Sequence, residues 1–165
     1  MKLKTLGLSL AGTILSVALF AQEKPNFSGT WTLDREKSEV GNVGGGGGGR
    51  GPGMGGNLTI QHAGEAITIQ RKFNFQGEER TIEAKHTTDG KENINAGFRD
   101  SSIKSKTSWE GTTLVTESKM ETPNGTRETK EVRSLSADGK TMTVDTTVKG
   151  GFGEGTRKLV YNKQP

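Results

Sequence analysis

From Asn57 onward the chain repeats one unit: a short run of alternating apolar or β-branched residues, then a glycine-bearing turn. Leu58, Ile60 and His62 alternate before Ala63-Gly64-Glu65, and Ile67, Ile69, Arg71, Phe73 and Phe75 before Gln76-Gly77. Ile82, Ala84 and His86 come before Asp89-Gly90, and Ile103, Ser105, Thr107 and Trp109 before Glu110-Gly111. Leu114, Thr116, Ser118 and Met120 run to Asn124-Gly125, and a polar strand, Arg127 to Leu135, runs to Asp138-Gly139. Met142, Val144 and Val148 follow, then a glycine cluster from Gly150 to Gly155 and a last strand ending at Tyr161. Successive side chains of a strand point to opposite faces, so each run offers one face to a core and one to water. Asn-Gly and Asp-Gly supply the positive φ that tight hairpins need. Repeated short strands at this spacing predict an all-β barrel or sandwich, and connections this short make neighbours antiparallel.

One strand stands ahead of the series. In Phe27 to Asp34, Phe27, Gly29, Trp31 and Leu33 share an apolar face, and Ser28, Thr30, Thr32 and Asp34 share a polar one. Trp31 reads as a core aromatic, and Gly29 beside it leaves room for a neighbour to approach closely. A meander of about nine strands exposes two edges unless it closes on itself. Pairing the Trp31 strand with the Tyr161 strand closes it. The expected fold is an antiparallel up-and-down meander barrel of 8–10 strands.

Ahead of that strand, residues 1–21 combine a basic start (Lys2, Lys4), a short apolar run and a small residue, Ala21. This is the pattern of a Sec signal peptide. A membrane anchor is the rival reading, but Thr5, Gly7, Ser9, Gly12, Thr13 and Ser16 interrupt the run, which is short for spanning. Cleavage leaves one domain, 22–165, exported to the periplasm or secreted and without an anchor. Losing Lys2 and Lys4 lowers the basic count from 23 to 21 against 19 acidic residues, so the formal charge falls from +4 to +2. So balanced a chain predicts no nucleic-acid partner. With no cysteine, the exported domain is stable without disulfides.

Residues 22–165 contain 23 Leu, Ile, Val and Phe, about a sixth, a level at which disorder competes with folding. Low net charge and threonine alternating with apolar residues favour a folded domain with a thin core. Gly41 to Gly56 carries 11 glycines in 16 residues and reads as a flexible loop, because glycine loses the most entropy on ordering. Its Gly-x-Gly-x-x-Gly match is trivial and no helix pattern follows it.

No catalytic set emerges. His62 and His86 lack metal-ligand spacing, no serine sits in Gly-x-Ser-x-Gly, and Asp138-Gly139-Lys140-Thr141 is explained by a hairpin. The reading is therefore non-enzymatic, with no cofactor and no metal; an enzyme is the last-ranked alternative. Arg71 shares a face with Ile67, Ile69, Phe73 and Phe75 and, if it points inward, needs an internal carboxylate or an anionic ligand. Ser105, Thr107, Thr116 and Ser118 make the inward face polar.

Gly29-Thr30-Trp31 near the expected mature N-terminus resembles the Gly-x-Trp signature of the lipocalins and the wider calycin superfamily. The run Phe27 to Leu33 is similar to the opening of fatty-acid-binding proteins, and Leu159-Val160-Tyr161-Asn162-Lys163 resembles their last strand. The resemblance covers the two ends and, in the middle, only the strand rhythm. It implies a ligand-binding barrel in which Gly29 and Trp31 are structural and Arg157 packs on Trp31 at the closed end. Two features depart from fatty-acid-binding proteins. Their Arg-x-Tyr is Leu159-Val160-Tyr161 here, and Gly41 to Gly56 stands where they carry a helix pair.

These observations predict an exported, monomeric, lipocalin-like protein that binds a small hydrophobic or amphipathic molecule. The candidate lining is Arg71, Phe73, Phe75, Trp109 and Met120. The alternative is a structural or interaction module of the cell envelope with a filled barrel and no ligand pocket. A cavity below roughly 300 Å³ favours that alternative.

Overall fold

The computed structural model describes residues 23–39, 56–75, 78–97, 101–151 and 153–165. The expected signal peptide and all but Gly56 of the glycine-rich segment lie outside them. Ten strands and no helix are described: β1 (Gly29–Glu39), β2 (Leu58–Ala63), β3 (Ala66–Phe75), β4 (Glu78–Thr87), β5 (Asp89–Ala96), β6 (Ser102–Glu110), β7 (Thr113–Thr122), β8 (Gly125–Leu135), β9 (Thr141–Gly150) and β10 (Gly155–Lys163). They form one antiparallel sheet in the order β4-β3-β2-β1-β10-β9-β8-β7-β6-β5, curled into a nearly closed barrel. The two ends of the chain therefore meet in the middle of the sheet, as the edge argument requires.

The joint between β1 and β10 sets Trp31 opposite Lys163 and Leu33 opposite Tyr161. Asn162 Nδ2 donates to Asp34 Oδ2 at 3.1 Å, and the Val160 amide donates to Ser38 Oγ at 2.9 Å. Gly29, at φ +144°, leaves the space through which the Lys163 stem passes; a Cβ there would lie 2.6 Å from Lys163 Cε. The ammonium then sits 5.4 Å from the Trp31 ring centroid, a cation–π distance.

The thin apolar inventory is concentrated at one end of the barrel, beside the β2–β3, β6–β7 and β8–β9 turns. Phe27, Trp31, Ile60, Ile67, Leu114, Met142, Leu159 and Tyr161 are buried there, with Trp109 packed against them. Phe27 acts as the plug. Its amide donates to His62 Nδ1 at 3.2 Å, and its carbonyl accepts from Trp31 Nε1 at 3.0 Å.

β5 is a strand that the apolar rhythm does not reveal. Its inward positions, opposite Ser105 and Ile103 of β6, are Asn93 and Asn95, and its single Ile, Ile94, faces out and is 66 % exposed. Asp89-Gly90 is not a hairpin turn. The corner is at Thr88, whose amide donates to Glu65 O at 2.8 Å, so β4 and β5 diverge and do not pair. Asn95 bridges part of this seam. Its Oδ1 accepts the Lys85 amide at 2.7 Å and its Nδ2 donates to Lys85 O at 2.9 Å, so one side chain replaces a pair of ladder bonds.

Trp31→Ala should cost about 3–5 kcal/mol, the range for truncating a fully buried aromatic, as read from denaturant unfolding. Asn95→Ala should speed hydrogen exchange of the Lys85 amide while leaving amides of the β7–β8 ladder unchanged.

Candidate ligand site in the barrel interior

Above the apolar end, the interior becomes polar. On β8, Thr129, Glu131 and Arg133 share the face that ends in Leu135. Register brings Thr116 of β7 opposite Glu131, with Thr146 of β9 on its other side, and sets Thr146 opposite Arg157 of β10. Charges in such a place need partners. Arg133 forms an ion pair with Glu131 through Nη2 and Oε2, and its Nη1 donates to Thr116 Oγ1 at 3.3 Å. Thr116 and Thr107 join their hydroxyls at 3.0 Å, and Arg157 Nη2 lies 3.6 Å from Glu131 Oε1.

Burial by itself would raise the Glu131 pKa. The guanidiniums of Arg133, Arg71 and Arg157 outweigh it and hold the carboxyl at about 2. Burial lowers the Arg157 pKa and raises that of Tyr161, whose hydroxyl senses Arg71, Arg157, Glu131 and Arg133. The network thus draws on β3, β8 and β10 and forms one coupled unit. His86 of β4, with Nδ1 3.2 Å from Ser105 Oγ, borders it; burial, then Arg133, lowers its pKa to about 4.

A cavity of about 250 Å³ adjoins this unit. Its walls include Arg71, His86, Ser105, Ser118, Thr129 and Glu131 inside the barrel, and Ala84, Asn95 and Ala96 at the β4–β5 seam. Ile82, on the inward face of β4 and 45 % exposed, also lines it. A larger depression, about 530 Å³, is lined mainly by outer-face side chains of β6–β9 such as Lys104, Glu117, Lys119 and Lys130. Lys119 and Lys130 are in exposed ion pairs there, and the surface shows no buried polar machinery.

Of the residues expected to line a pocket, Arg71 is on the wall of this cavity, and Trp109 lines a separate depression of about 240 Å³ with Lys24, Asn26 and His62. The Arg71 charge acts on Glu131, so of the two partners an inward position admits, an internal carboxylate is present. Trp109 is at the plugged end, with ring centroids 6.0 Å from Phe27 and 5.9 Å from His62. Met120 lies toward the other end, where its sulfur accepts from Ser101 Oγ at 3.6 Å. Trp109 pairs with Leu114, six residues before Met120, so about 20 Å of strand separates the two. Phe73 and Phe75 are on β3, and their side chains fall outside the described residues. Trp31 and Gly29 lie at the β1–β10 joint, but the cation over Trp31 is Lys163. Arg157 is six residues away along β10, again about 20 Å, and belongs to the interior network.

Glu131, Arg133, Thr146 and Tyr161 are the residues that sequence reasoning passed over as a site. The arginine missing at position 159 has a counterpart two residues earlier on the same face, Arg157, beside Arg133 and Arg71. One signal was present: β8, eleven residues long, has no apolar stripe, yet it sits between well-patterned neighbours.

No protein-family model matches the chain, and no curated protein matches it in sequence. Solved structures do. Zebrafish ileal bile acid-binding protein complexed with cholic acid is 16% identical, with 84% of this chain and 98% of that one covered at a TM-score of 0.55. The REP1-NXSQ fatty acid transporter is 16% identical, covering 84% and 96% at 0.52. Apo lipid binding protein 8 of Caenorhabditis elegans is 13% identical, covering 84% and 95% at 0.51. The fold is calycin-like. At these identities the likeness is one of fold alone, and the site rests on this barrel's own side chains.

The network predicts the acid response. His86 is depressed in the folded state from 6.5 to about 4. Its contribution is therefore complete above pH 6.5 and lost as pH falls to about 4, an amount on the order of 3 kcal/mol. Glu131, depressed from 4.5 to about 2, loses its contribution between those values, and at lower pH. Unfolding midpoints should fall in two stages on acidification, and His86→Gln should remove the upper one. Glu131→Gln should destabilise by about 3–5 kcal/mol at neutral pH, since it strips the partner from buried guanidiniums.

Proposed function

We propose that this calycin-like barrel binds a small amphipathic molecule, with an anionic head directed at the interior arginine network and an apolar part toward the β4–β5 seam. One observation carries the reading: buried Arg133 and half-buried Arg71 and Arg157 act on a single carboxylate, Glu131, beside a cavity that opens where β4 and β5 do not pair with each other. The cavity, about 250 Å³, has room for roughly eight waters at ~30 Å³ each, so the molecule is small or only partly enclosed. The similar structures are of a bile acid-binding protein, a fatty acid transporter and a lipid binding protein, which supports an amphipathic ligand. The role is binding without catalysis. Residues 1–21 direct Sec export and are removed, and the protein works as a periplasmic or secreted monomer without a membrane anchor. N-terminal sequencing of the exported protein should then begin at Gln22.

A second reading, the filled barrel that serves as an envelope module, has its own support. The cavity is below the roughly 300 Å³ at which ligand pockets begin. Calorimetric titration with short-chain anionic amphiphiles separates the two. Binding should be saturable and one to one, and Thr129→Leu, which fills the cavity wall, should weaken it at least about tenfold with little loss of stability. Wild-type protein that gives no heat with any of them is a filled barrel.

A further inference from the structure

The depression at the plugged end of the barrel is built separately from the interior cavity. It holds about 240 Å³, room for roughly eight waters at ~30 Å³ each, and no residue lines both. Lys24 and Asn26 of the lead-in to β1, His62 of β2, Glu65 of the β2–β3 turn, Thr88 of the corner and Trp109 of β6 surround it. Phe27, fully buried, backs both rings, with its centroid 6.2 Å from that of His62 and 6.0 Å from that of Trp109.

Three observations fix the sign of the charge that suits this place. The chain itself sets a cation there: Lys24 Nζ lies 5.6 Å from the Trp109 ring centroid and forms no ion pair among the described residues. The face of an indole carries negative potential, so the half-exposed Trp109 ring draws positive groups. The Glu65 carboxylate makes neither an ion pair nor a hydrogen bond among the described residues, and Lys91, the cation that senses it, is held 2.6 Å from Asp89. His62 brings no competing charge. Its Nδ1 accepts the Phe27 amide at 3.2 Å, and burial, partly offset by the Gly64 backbone, lowers its pKa, so the ring is neutral at neutral pH.

Lysine suits such a slot poorly. Its ammonium is compact and strongly hydrated, on a flexible four-carbon stem. A quaternary ammonium spreads its charge over methyl groups and is the kind of cation that aromatic sites recognise. An anion meets the Glu65 carboxylate and the negative ring face, and a sugar finds the indole face already covered by the Lys24 ammonium. The Asn26 side chain is engaged within the rim, since its Nδ2 donates to His62 O at 3.4 Å and its Oδ1 accepts the Ser28 amide at 2.8 Å. The Thr88 hydroxyl, by contrast, has no hydrogen-bond partner among the described residues.

We propose that this depression is a second binding site, for a small quaternary ammonium compound, and that Lys24 is its built-in competitor. The ligand cation takes the Trp109 face, Lys24 swings out to water, Glu65 supplies the counter-charge and the Thr88 hydroxyl meets a polar group beside the ammonium. The site does not depend on the binding function of the interior, so each stands or fails alone.

Nuclear magnetic resonance of the Trp109 indole N–H tests it on the wild-type protein. The probes are choline, its neutral analogue in which carbon replaces the quaternary nitrogen, and glucose. The Trp31 indole, which donates to the Phe27 carbonyl at 3.0 Å, is the internal control. Choline should shift the Trp109 signal saturably and bind at least about fivefold more tightly than the neutral analogue. Lys24→Ala should tighten choline binding, the opposite of what losing a ligand contact does. Lys24→Arg, which keeps the charge and stacks better on a ring, should not tighten it. Glu65→Gln should weaken choline binding at least about threefold with no change in unfolding midpoint, since Glu65 is exposed and its carboxylate unbonded. Equal affinity for choline and the neutral analogue, weaker choline binding by Lys24→Ala, or a Trp109 response to glucose alone overturns the proposal. So does the absence of a response to every probe, and each of these outcomes leaves the interior binding function standing.

Discussion

The barrel depends on one joint, the ladder between β1 and β10 with Lys163 laid over Trp31. Without it the chain is two open sheets, β1–β4 and β5–β10, each with its own bare edges. With it the remaining edges are β4 and β5, which lie side by side, where Asn95 can tie them to each other. Unpaired edges invite pairing with other chains, so a side chain bridging two of them is a safeguard as well as a bond. The same joint brings β10 into line with β9 and β8, and so carries Arg157 and Tyr161 toward Glu131.

The division of the interior follows from scarcity. A chain with few large apolar residues cannot fill a ten-stranded barrel with them, and here they are gathered around Trp31 and Phe27. The rest of the lumen is filled by threonine, serine and a charged network whose members satisfy most of one another's requirements. Such a network is stable only when its charges are nearly balanced and its donors nearly all engaged. Departures from the second condition occur at Arg133 Nε, Thr146 Oγ1 and Tyr161 Oη, and of these residues Arg133 is on the cavity wall. In the proposed function, stability and recognition are set by the same few side chains.

Much of this architecture could be read directly from the chain. Alternation and glycine turns predict the strand series, and the edge argument predicts that the Trp31 and Tyr161 strands pair. β5 was hidden because its inward residues are Asn93 and Asn95, which look like a loop when viewed one at a time. The lining was hidden for a related reason. Trp109 and Met120 do face inward with the rest of their strands, but period-two reasoning gives a face and no height, and these two are at opposite ends of the barrel. Arg157 was matched to the wrong aromatic for the same lack of height. Glu131 and Arg133 resemble a solvated strand face until register shows what stands opposite them.

Asp34 and Asn162, which hydrogen-bond across the joint, are separated by 128 positions in the chain. Loop closure over such a span is slow and cannot begin early. Nearly every other ladder joins sequence neighbours and can form as soon as its hairpin exists. The ring itself has to wait for the nine-residue β10, so a nascent polypeptide that lacks it has ribbons but no vessel. Arrival of β10 therefore seals the ring and delivers Arg157 and Tyr161 to the interior network in a single event.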